Sequence, residues 1–261
     1  MLPGNNYKKI WLYLLLLTGF AAYSQTENYM QFWNEYAFVK DVNEKWSLEA
    51  DMGITTSGIP EHNNIFYNLI QFYGRGWAHY YPSERVKISF FYAFFYNTNV
   101  PELLQDKSPE HRLAAQFTYL MTKTRLRTNL RGRLEDRHLE NDAGYFEVVM
   151  RLRMQAKATY PLNGPIIKPG VIYTFMSDEV MFKTRSSISG NTFFDRNRLT
   201  VGFGYSFVNE FQVELSYVNE LLPRPDKTSS YDAIQVNVVF TDLFSDLFKG
   251  KFKREKTAID K

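Results

Sequence analysis

The stretch of sequence that decides the fold is TRLRTNLRGRLEDR, which runs from Thr124 to Arg137. Its arginines all fall at odd-numbered positions and its leucines at even-numbered positions. Because successive side chains of a β-strand point to opposite faces of the sheet, this spacing predicts a strand with one arginine-rich face and one apolar face. The arginines are Arg125, Arg127, Arg131, Arg133 and Arg137, and the leucines are Leu126, Leu130 and Leu134.

The same alternation recurs along most of the chain, for example in WSLEADMGI and FQVELSYVNE. It predicts eleven strands, at residues 29–40, 45–55, 64–81, 86–97, 110–121, 124–138, 145–160, 166–178, 195–208, 211–222 and 231–240. The connections alternate between short turns at 41–44, 82–85, 122–123, 161–165 and 209–210 and longer polar loops at 56–63, 98–109, 139–144, 179–194 and 223–230. Many of these strands exceed the 5–6 residues usual in soluble proteins.

Residues 1–24 have the features of a secretory signal peptide. Lys8 and Lys9 precede an apolar run at residues 10–20, and small residues follow it. An N-terminal membrane anchor is the alternative, but a helix that spans a bilayer needs about 20 apolar residues, and this run is shorter. We therefore expect an exported mature chain that begins near Gln25.

The composition excludes several classes of chemistry. The chain has no cysteine, so disulfides, thiol catalysis, cysteine metal sites and lipid attachment at a cysteine are ruled out. Its net charge of +3 does not indicate a polyanion binder, and we expect no nucleic-acid partner. No HExxH or GxSxG motif occurs. We expect no metal, no cofactor and no enzyme, although His111 could act with Ser108 or Ser177 in a rim hydrolase.

Alternation alone fits a soluble β-sandwich or lipocalin-like barrel as well as a membrane barrel with its apolar face toward lipid. The export signal, strands as long as the 9–11 residues that span a bilayer, and aromatic clusters near strand ends favour the membrane barrel. We predict an all-β fold: an antiparallel transmembrane β-barrel of roughly 10–12 strands over residues 25–240, with short periplasmic turns and longer extracellular loops. Bacterial barrels have even strand numbers, so a count of eleven suggests that a strand was missed, that one was split, or that the first segment is not a wall strand.

The C-terminal end of the chain combines an aromatic strand with a basic tail. The last predicted strand ends on Phe240, and such a strand resembles the signal that the barrel-assembly machinery reads during insertion. Residues 241–261 follow, with Phe244, Phe248 and Phe252 at every fourth position. This spacing suits a short amphipathic helix at the periplasmic side, and a disordered tail is the alternative.

Parity places an excess of basic over acidic side chains inside the barrel. The basic residues are Arg112, Arg125, Arg127, Arg131, Arg133, Arg137, Arg151, Arg153, Lys157, Lys168, Arg196 and Arg198; the acidic residues are Glu49, Asp51, Glu110, Glu135, Glu147, Glu214 and Glu220. We expect Glu135 to pair with arginines among Arg112, Arg133, Arg151 and Arg153. One interpretation is a packed, charge-paired interior, because arginine pairs bidentately with carboxylates. The other is an anion-attracting pore, because surplus positive charge focuses its field on anions.

The motifs PEHRLAAQFTYL, RGRLEDR and FDRNRLTVGFGYSF, with Arg151 and Arg153 between the last two, resemble an uncharacterised outer-membrane family known as domain of unknown function 2490. The resemblance covers about residues 28–240. The matching positions are Glu110, Arg112, Arg131, Arg133, Glu135, Arg137, Asp195 and Arg198. It implies an outer-membrane barrel and assigns no reaction.

The predicted function is that of a porin-like barrel in the outer membrane of a Gram-negative cell, with a structural or small-solute channel role, anions included. An outer-membrane barrel that binds or modifies lipid is the alternative. The expected partners are outer-membrane lipid, the barrel-assembly machinery and a small anionic solute. The predicted site is a lumen charge cluster of Glu110, Arg112, Arg131, Arg133, Glu135, Arg137, Arg151, Arg153, Arg196 and Arg198.

Overall fold

The computed structural model describes residues 26–242, except residues 60, 104, 142, 209–210 and 225–227. The described chain forms eleven β-strands that close into one barrel. The strands are β1 (Thr26–Asp41), β2 (Trp46–Ser57), β3 (Asn68–Ser83), β4 (Val86–Asn97), β5 (Ser108–Leu120), β6 (Arg127–Glu140), β7 (Phe146–Pro161), β8 (Val171–Lys183), β9 (Phe194–Val208), β10 (Phe211–Pro223) and β11 (Thr228–Thr241). The predictions for residues 1–24 and for the tail after Asp242 lie outside the described residues.

The barrel is closed by a parallel pairing of β1 with β11, whereas all other neighbours in the sheet are antiparallel. An odd number of strands requires this closure, because after eleven alternating passes the last strand runs in the same direction as the first. The predicted fold, an all-β closed barrel of 10–12 strands, is confirmed. The inference that a strand had been missed or split, or that the first segment is not a wall strand, is wrong, since β1 is a full wall strand bonded to both β2 and β11.

The register of the strands fixes the width of the barrel. Cross-strand partners traced from Glu35 through β2 to β6 end at Glu147 on β7. Those traced through β11 to β8 end at Pro161, a stagger of 14 residues along β7. With a strand spacing of about 4.8 Å and a rise of about 3.4 Å per residue, this stagger gives a strand tilt of about 42° and a backbone diameter of about 23 Å. Long inward side chains can fill most of such a lumen.

The connections form two groups at opposite ends of the barrel. The short-turn end carries the connections 42–45, 84–85, 121–126 and 162–170, and the long-loop end carries 58–67, 98–107, 141–145 and 184–193. The predicted alternation of lengths holds for the first four connections, but 121–126 has six residues and the next connection, 141–145, has five. The predicted turn 161–165 is instead a longer connection, 162–170, because β8 begins at Val171. This shift extends β8 to Lys183 and brings Glu179 into the wall.

The outward face of the barrel is apolar and aromatic over most of its area. Leu130 and Leu134 point outward from β6 and are 45% and 49% exposed. Outward side chains of other strands include Met52, Phe90, Leu113, Phe117, Met154, Met176, Val201, Phe203 and Leu215. At the short-turn end, Phe240 stacks on both Phe38 and Phe211. Exposed apolar surface this extensive marks a face that another apolar phase normally covers.

No helix among the described residues is long and apolar enough to cross a membrane. The described helical structure is a single 3-10 turn, Pro101–Leu103, in the connection between β4 and β5.

Candidate functional site

A polar cavity of about 640 Å³ lies in the centre of the barrel and is lined by residues from all eleven strands. Its charged lining consists of nine arginines, two lysines and six glutamates. These are Arg75, Arg112, Arg131, Arg133, Arg137, Arg151, Arg153, Arg196, Arg198, Lys87, Lys157, Glu35, Glu49, Glu110, Glu179, Glu214 and Glu220. The candidate site is therefore the lumen itself, and its dominant chemistry is that of guanidinium groups.

Glu135 is the centre of the charge network. Its carboxylate is fully buried and lies 2.6 Å from Arg151, 3.1 Å from Arg153, 3.4 Å from Arg133 and 3.7 Å from Arg112. The four arginines named from the sequence thus all lie within ion-pair distance. Register explains the arrangement, because Glu135 is the cross-strand partner of Arg151 on β7 and of Ala114 on β5. The small side chain of Ala114 leaves room for the arginines of the neighbouring strands.

Two further carboxylates extend the network along the wall. Glu110 accepts two parallel hydrogen bonds from Arg137, at 2.7 and 2.8 Å, and a third from Arg112 at 2.8 Å. The bidentate geometry is the strong form of an arginine–carboxylate pair.

Glu179 of β8 is the second of these two carboxylates. It accepts bonds from Arg153 at 2.6 and 3.0 Å and from Arg131 at 2.6 Å. Arg153 therefore links Glu179 to Glu135, and the network runs without a break from β5 to β8.

A second group of pairs lies on β9 and β10. Glu220 accepts a bond from Arg196 at 2.6 Å and another from Arg198 at 2.6 Å. Asp195 pairs with Arg196 at 3.0 Å and lies 3.6 Å from Arg151, which joins this group to Glu135. The structure thus brings all ten predicted cluster residues into one connected interior network.

Positive charge is in surplus on one side of the lumen. Four carboxylates, Glu110, Glu135, Glu179 and Asp195, are the ion-pair partners of six arginines on β5, β6 and β7. We call these six the arginine wall: Arg112, Arg131, Arg133, Arg137, Arg151 and Arg153. All six line the cavity. The buried Nε of Arg131 has no hydrogen-bond partner among the described residues.

Aromatic rings support the arginine wall from β3 and β4. The guanidinium of Arg133 lies 5.2 Å from the ring centre of Trp77 and 5.3 Å from that of Phe91. Arg112 lies 4.0 Å from the ring of Phe95. A cation over an aromatic face is attracted to the ring quadrupole, so these rings hold the arginines without neutralising their charge.

The sequence analysis missed four charged residues of the lumen: Glu35, Arg75, Lys87 and Glu179. Glu35 and Asp51 both bind Arg75, each at 2.6 Å, but only Asp51 had been placed inside. Arg75 lies between two glycines in a run of aromatics, where parity gives no clear face. Glu179 had been assigned to a loop because both faces of β8 are largely apolar there.

Of the residues predicted to lie inside, Arg125, Lys168 and Glu147 lie at the ends of the barrel, and the buried Arg127 does not line the cavity. Arg125 precedes β6, and its guanidinium donates to the carbonyls of Pro161 and Leu162 at the short-turn end. Lys168 is exposed in the connection 162–170. Glu147 has an inward position but lies at the long-loop rim, where its carboxylate accepts a hydrogen bond from the backbone N–H of Ser187. Arg125 and Lys168 lie before the first residues of β6 and β8, whereas Glu147 lies among the first residues of β7.

The histidine–serine pairs considered for a hydrolase do not form. His111 points outward and bonds Tyr92 at 2.7 Å, whereas Ser108 and Ser177 are buried on the inward parity. The barrel wall therefore separates the imidazole from both hydroxyls. Among the described residues, no group of three or more His, Asp or Glu could hold a metal ion.

A buried apolar cluster lies at each end of the barrel. At the long-loop end, Ile59, Val100 and Leu103 from two connections pack with Ile70 of β3. Ile70 turns inward at a bulge in the pairing of β2 with β3. At the short-turn end, the buried Ile167 packs on two inward aromatics of β8. Each cluster contributes one residue to the cavity lining, Ile70 or Phe175, and we call the two clusters the apolar constrictions.

These features define a closed β-barrel with an arginine- and glutamate-lined interior. The family described as "Protein of unknown function (DUF2490)" matches residues 30–231. The chain belongs to this family, as the sequence motifs predicted. No curated protein matches the chain.

Proposed function

We propose that this protein is an outer-membrane barrel that lets small anionic solutes enter and cross its lumen. The apolar outward face supports the membrane location, because each strand has 12–16 residues and a tilted strand of about 9–11 residues spans a bilayer. The long-loop end would face the cell exterior and the short-turn end the periplasm, as is usual in such barrels.

The arginine wall is the observation that carries the solute proposal. Six guanidinium groups face one cavity and have four carboxylate partners, one of which, Asp195, is shared with Arg196. A lining of one dominant sign inside low-dielectric walls attracts counter-ions and repels ions of the same sign. A carboxylate or phosphate would also find planar, fork-shaped donors suited to bidentate binding. Anions of modest size therefore fit the charge and the volume of the cavity.

The apolar constrictions at the two mouths suggest that passage is gated. Hydrophobic constrictions in pores can interrupt conduction by excluding water. Val100 and Leu103 belong to a connection that is held partly by Gln105, whose side-chain amide donates to the carbonyls of Ile70 and Thr98. Movement of this connection would open the long-loop mouth without disturbing the wall.

A structural barrel with a closed lumen is the second candidate. The full burial of Glu135, with arginines on every side, favours it. Under this alternative the network only stabilises the wall, and the refolded protein carries no current.

Planar-bilayer recording of the refolded protein under a tenfold KCl gradient separates the two candidates. The proposal predicts step conductances with a reversal potential on the anion-selective side. Arg131→Gln should move that potential toward zero, because it removes lumen charge while Arg153 continues to bind Glu179. Arg125→Gln, which removes the same charge at the rim, is the matched control and should leave the potential unchanged. Absence of conductance, or cation selectivity, would refute the proposal.

A further inference from the structure

The charges of the lumen are distributed unevenly between opposite walls. The sector formed by β1 to β3 presents Glu35 and Glu49 to the cavity, with Asp51 buried beside Arg75. Arg75 is shared between Glu35 and Asp51, and Glu49 binds His79 at 3.0 Å. Carboxylates therefore outnumber permanently charged basic groups on these three strands.

The part of the arginine wall on β6 and β7 lies across the lumen from Glu35 of β1 and Glu49 of β2. In a ring of eleven strands, β2 is separated from β7 by about half the circumference. One side of the cavity thus carries surplus guanidinium groups and the other carries surplus carboxylates. Opposite charges on facing walls produce an electric field across the lumen, and the low dielectric of the surrounding protein strengthens it.

We propose that the lumen selects small zwitterions, molecules that carry an anionic group and an ammonium group, over simple anions of the same size. This inference rests on the proposed solute function. The anionic group would bind the arginine wall, where Arg131 has an unpartnered buried Nε. The ammonium group would face Glu35 and Glu49, which line the opposite side of the same cavity.

The walls suit a solute whose two charges are several ångströms apart. The backbone diameter of about 23 Å, less the length of the inward side chains on both sides, leaves a gap of about 10 Å. In a dipeptide with free termini the two charges are several ångströms apart. The cavity of about 640 Å³ is large enough to hold such a molecule. Blocking one terminus removes one charge and changes the size little.

Current block in planar bilayers tests the preference with three probes. These are alanylalanine, its N-acetylated form (an anion) and its C-amidated form (a cation), each titrated against the KCl current of the refolded full-length chain. The zwitterion should halve the current at a concentration about fivefold lower than the N-acetylated anion, the factor expected for one added ion pair at 4 Å in water. The cation should be the weakest blocker.

The variant that tests the acidic sector is Glu35→Gln combined with Glu49→Gln. It should abolish the difference between the zwitterion and the N-acetylated anion, whereas Glu147→Gln at the rim should preserve it. Equal block by these two probes in the wild type overturns the zwitterion inference and leaves the anion proposal standing. Absence of any wild-type current overturns both. If the double variant does not refold, the wild-type comparison of the three probes still decides the question.

Discussion

Replacement of Glu135 by glutamine tests the charge network at its centre. Glu135→Gln keeps the size of the side chain and removes the one carboxylate that lies within 3.7 Å of four arginines. Arg112 keeps Glu110 and Arg153 keeps Glu179, but Arg133 loses its carboxylate partner and is left with neutral amide oxygens, that of Gln116 and that of the substituted side chain. Removing one partner from a buried ion pair costs about 3–5 kcal/mol, and we expect a loss of that size in the free energy of unfolding.

The assay is urea unfolding of the protein refolded in lipid vesicles, followed by tryptophan fluorescence and by heat-modifiable gel mobility. Glu147→Gln is the matched control, because this rim carboxylate is solvent-accessible, and its loss should cost less than about 1 kcal/mol. A double variant, Glu135→Gln with Arg133→Gln, should recover part of the lost stability by removing an unpaired charge. Equal stability of Glu135→Gln and the control would show that the network does not stabilise the wall.

Three further predictions concern the wall and its mouths. Leu134→Arg, on the outward face, should lower the unfolding free energy in vesicles by about 2–4 kcal/mol, and an unchanged value would mean that this face does not meet lipid. Leu103→Ser should raise the step conductance in planar bilayers, because it loosens the apolar constriction; an unchanged conductance would place the gate elsewhere. Gly204→Ala should cost about 1–3 kcal/mol, since its Cβ would overlap the ring of Tyr173, whereas Gly132→Ala meets open space and should be neutral.

The sequence predicted most of the wall because a single physical rule governs it. Side chains of a strand alternate between two faces. The arginines at odd positions and the leucines at even positions around Leu130 therefore predicted both the strand and which of its faces points inward. The same rule placed Glu135 among its four arginines, because cross-strand neighbours on one face must meet. The rule failed where both faces of a strand are largely apolar, as in β8. The predicted strand there ended at residue 178, and Glu179 was assigned to a loop.

The ends of the strands and the closure of the barrel could not be predicted from alternation. Arg125 continues the odd series but lies beyond the start of β6, where the chain turns toward Pro161. The parallel pairing of β1 with β11 depends on contacts between the two ends of the chain, and no local pattern encodes it. The acidic sector was not predicted either, because Glu35 and Arg75 become neighbours only through the pairings that join β1, β2 and β3.

The central claim is that the apolar face of the wall meets lipid while the charged face lines a water-filled, anion-attracting lumen. The chain has no cysteine, so single cysteines at two adjacent positions of β9 report the two faces directly. Thr200 lines the cavity and Val201 points outward. In proteoliposomes, Thr200→Cys should react faster with a small anionic thiosulfonate than with a cationic one of equal size, and Val201→Cys should react only with a lipid-partitioning maleimide. Rapid reaction of Val201→Cys with the water-soluble reagents, or a cationic preference at Thr200→Cys, would contradict the account.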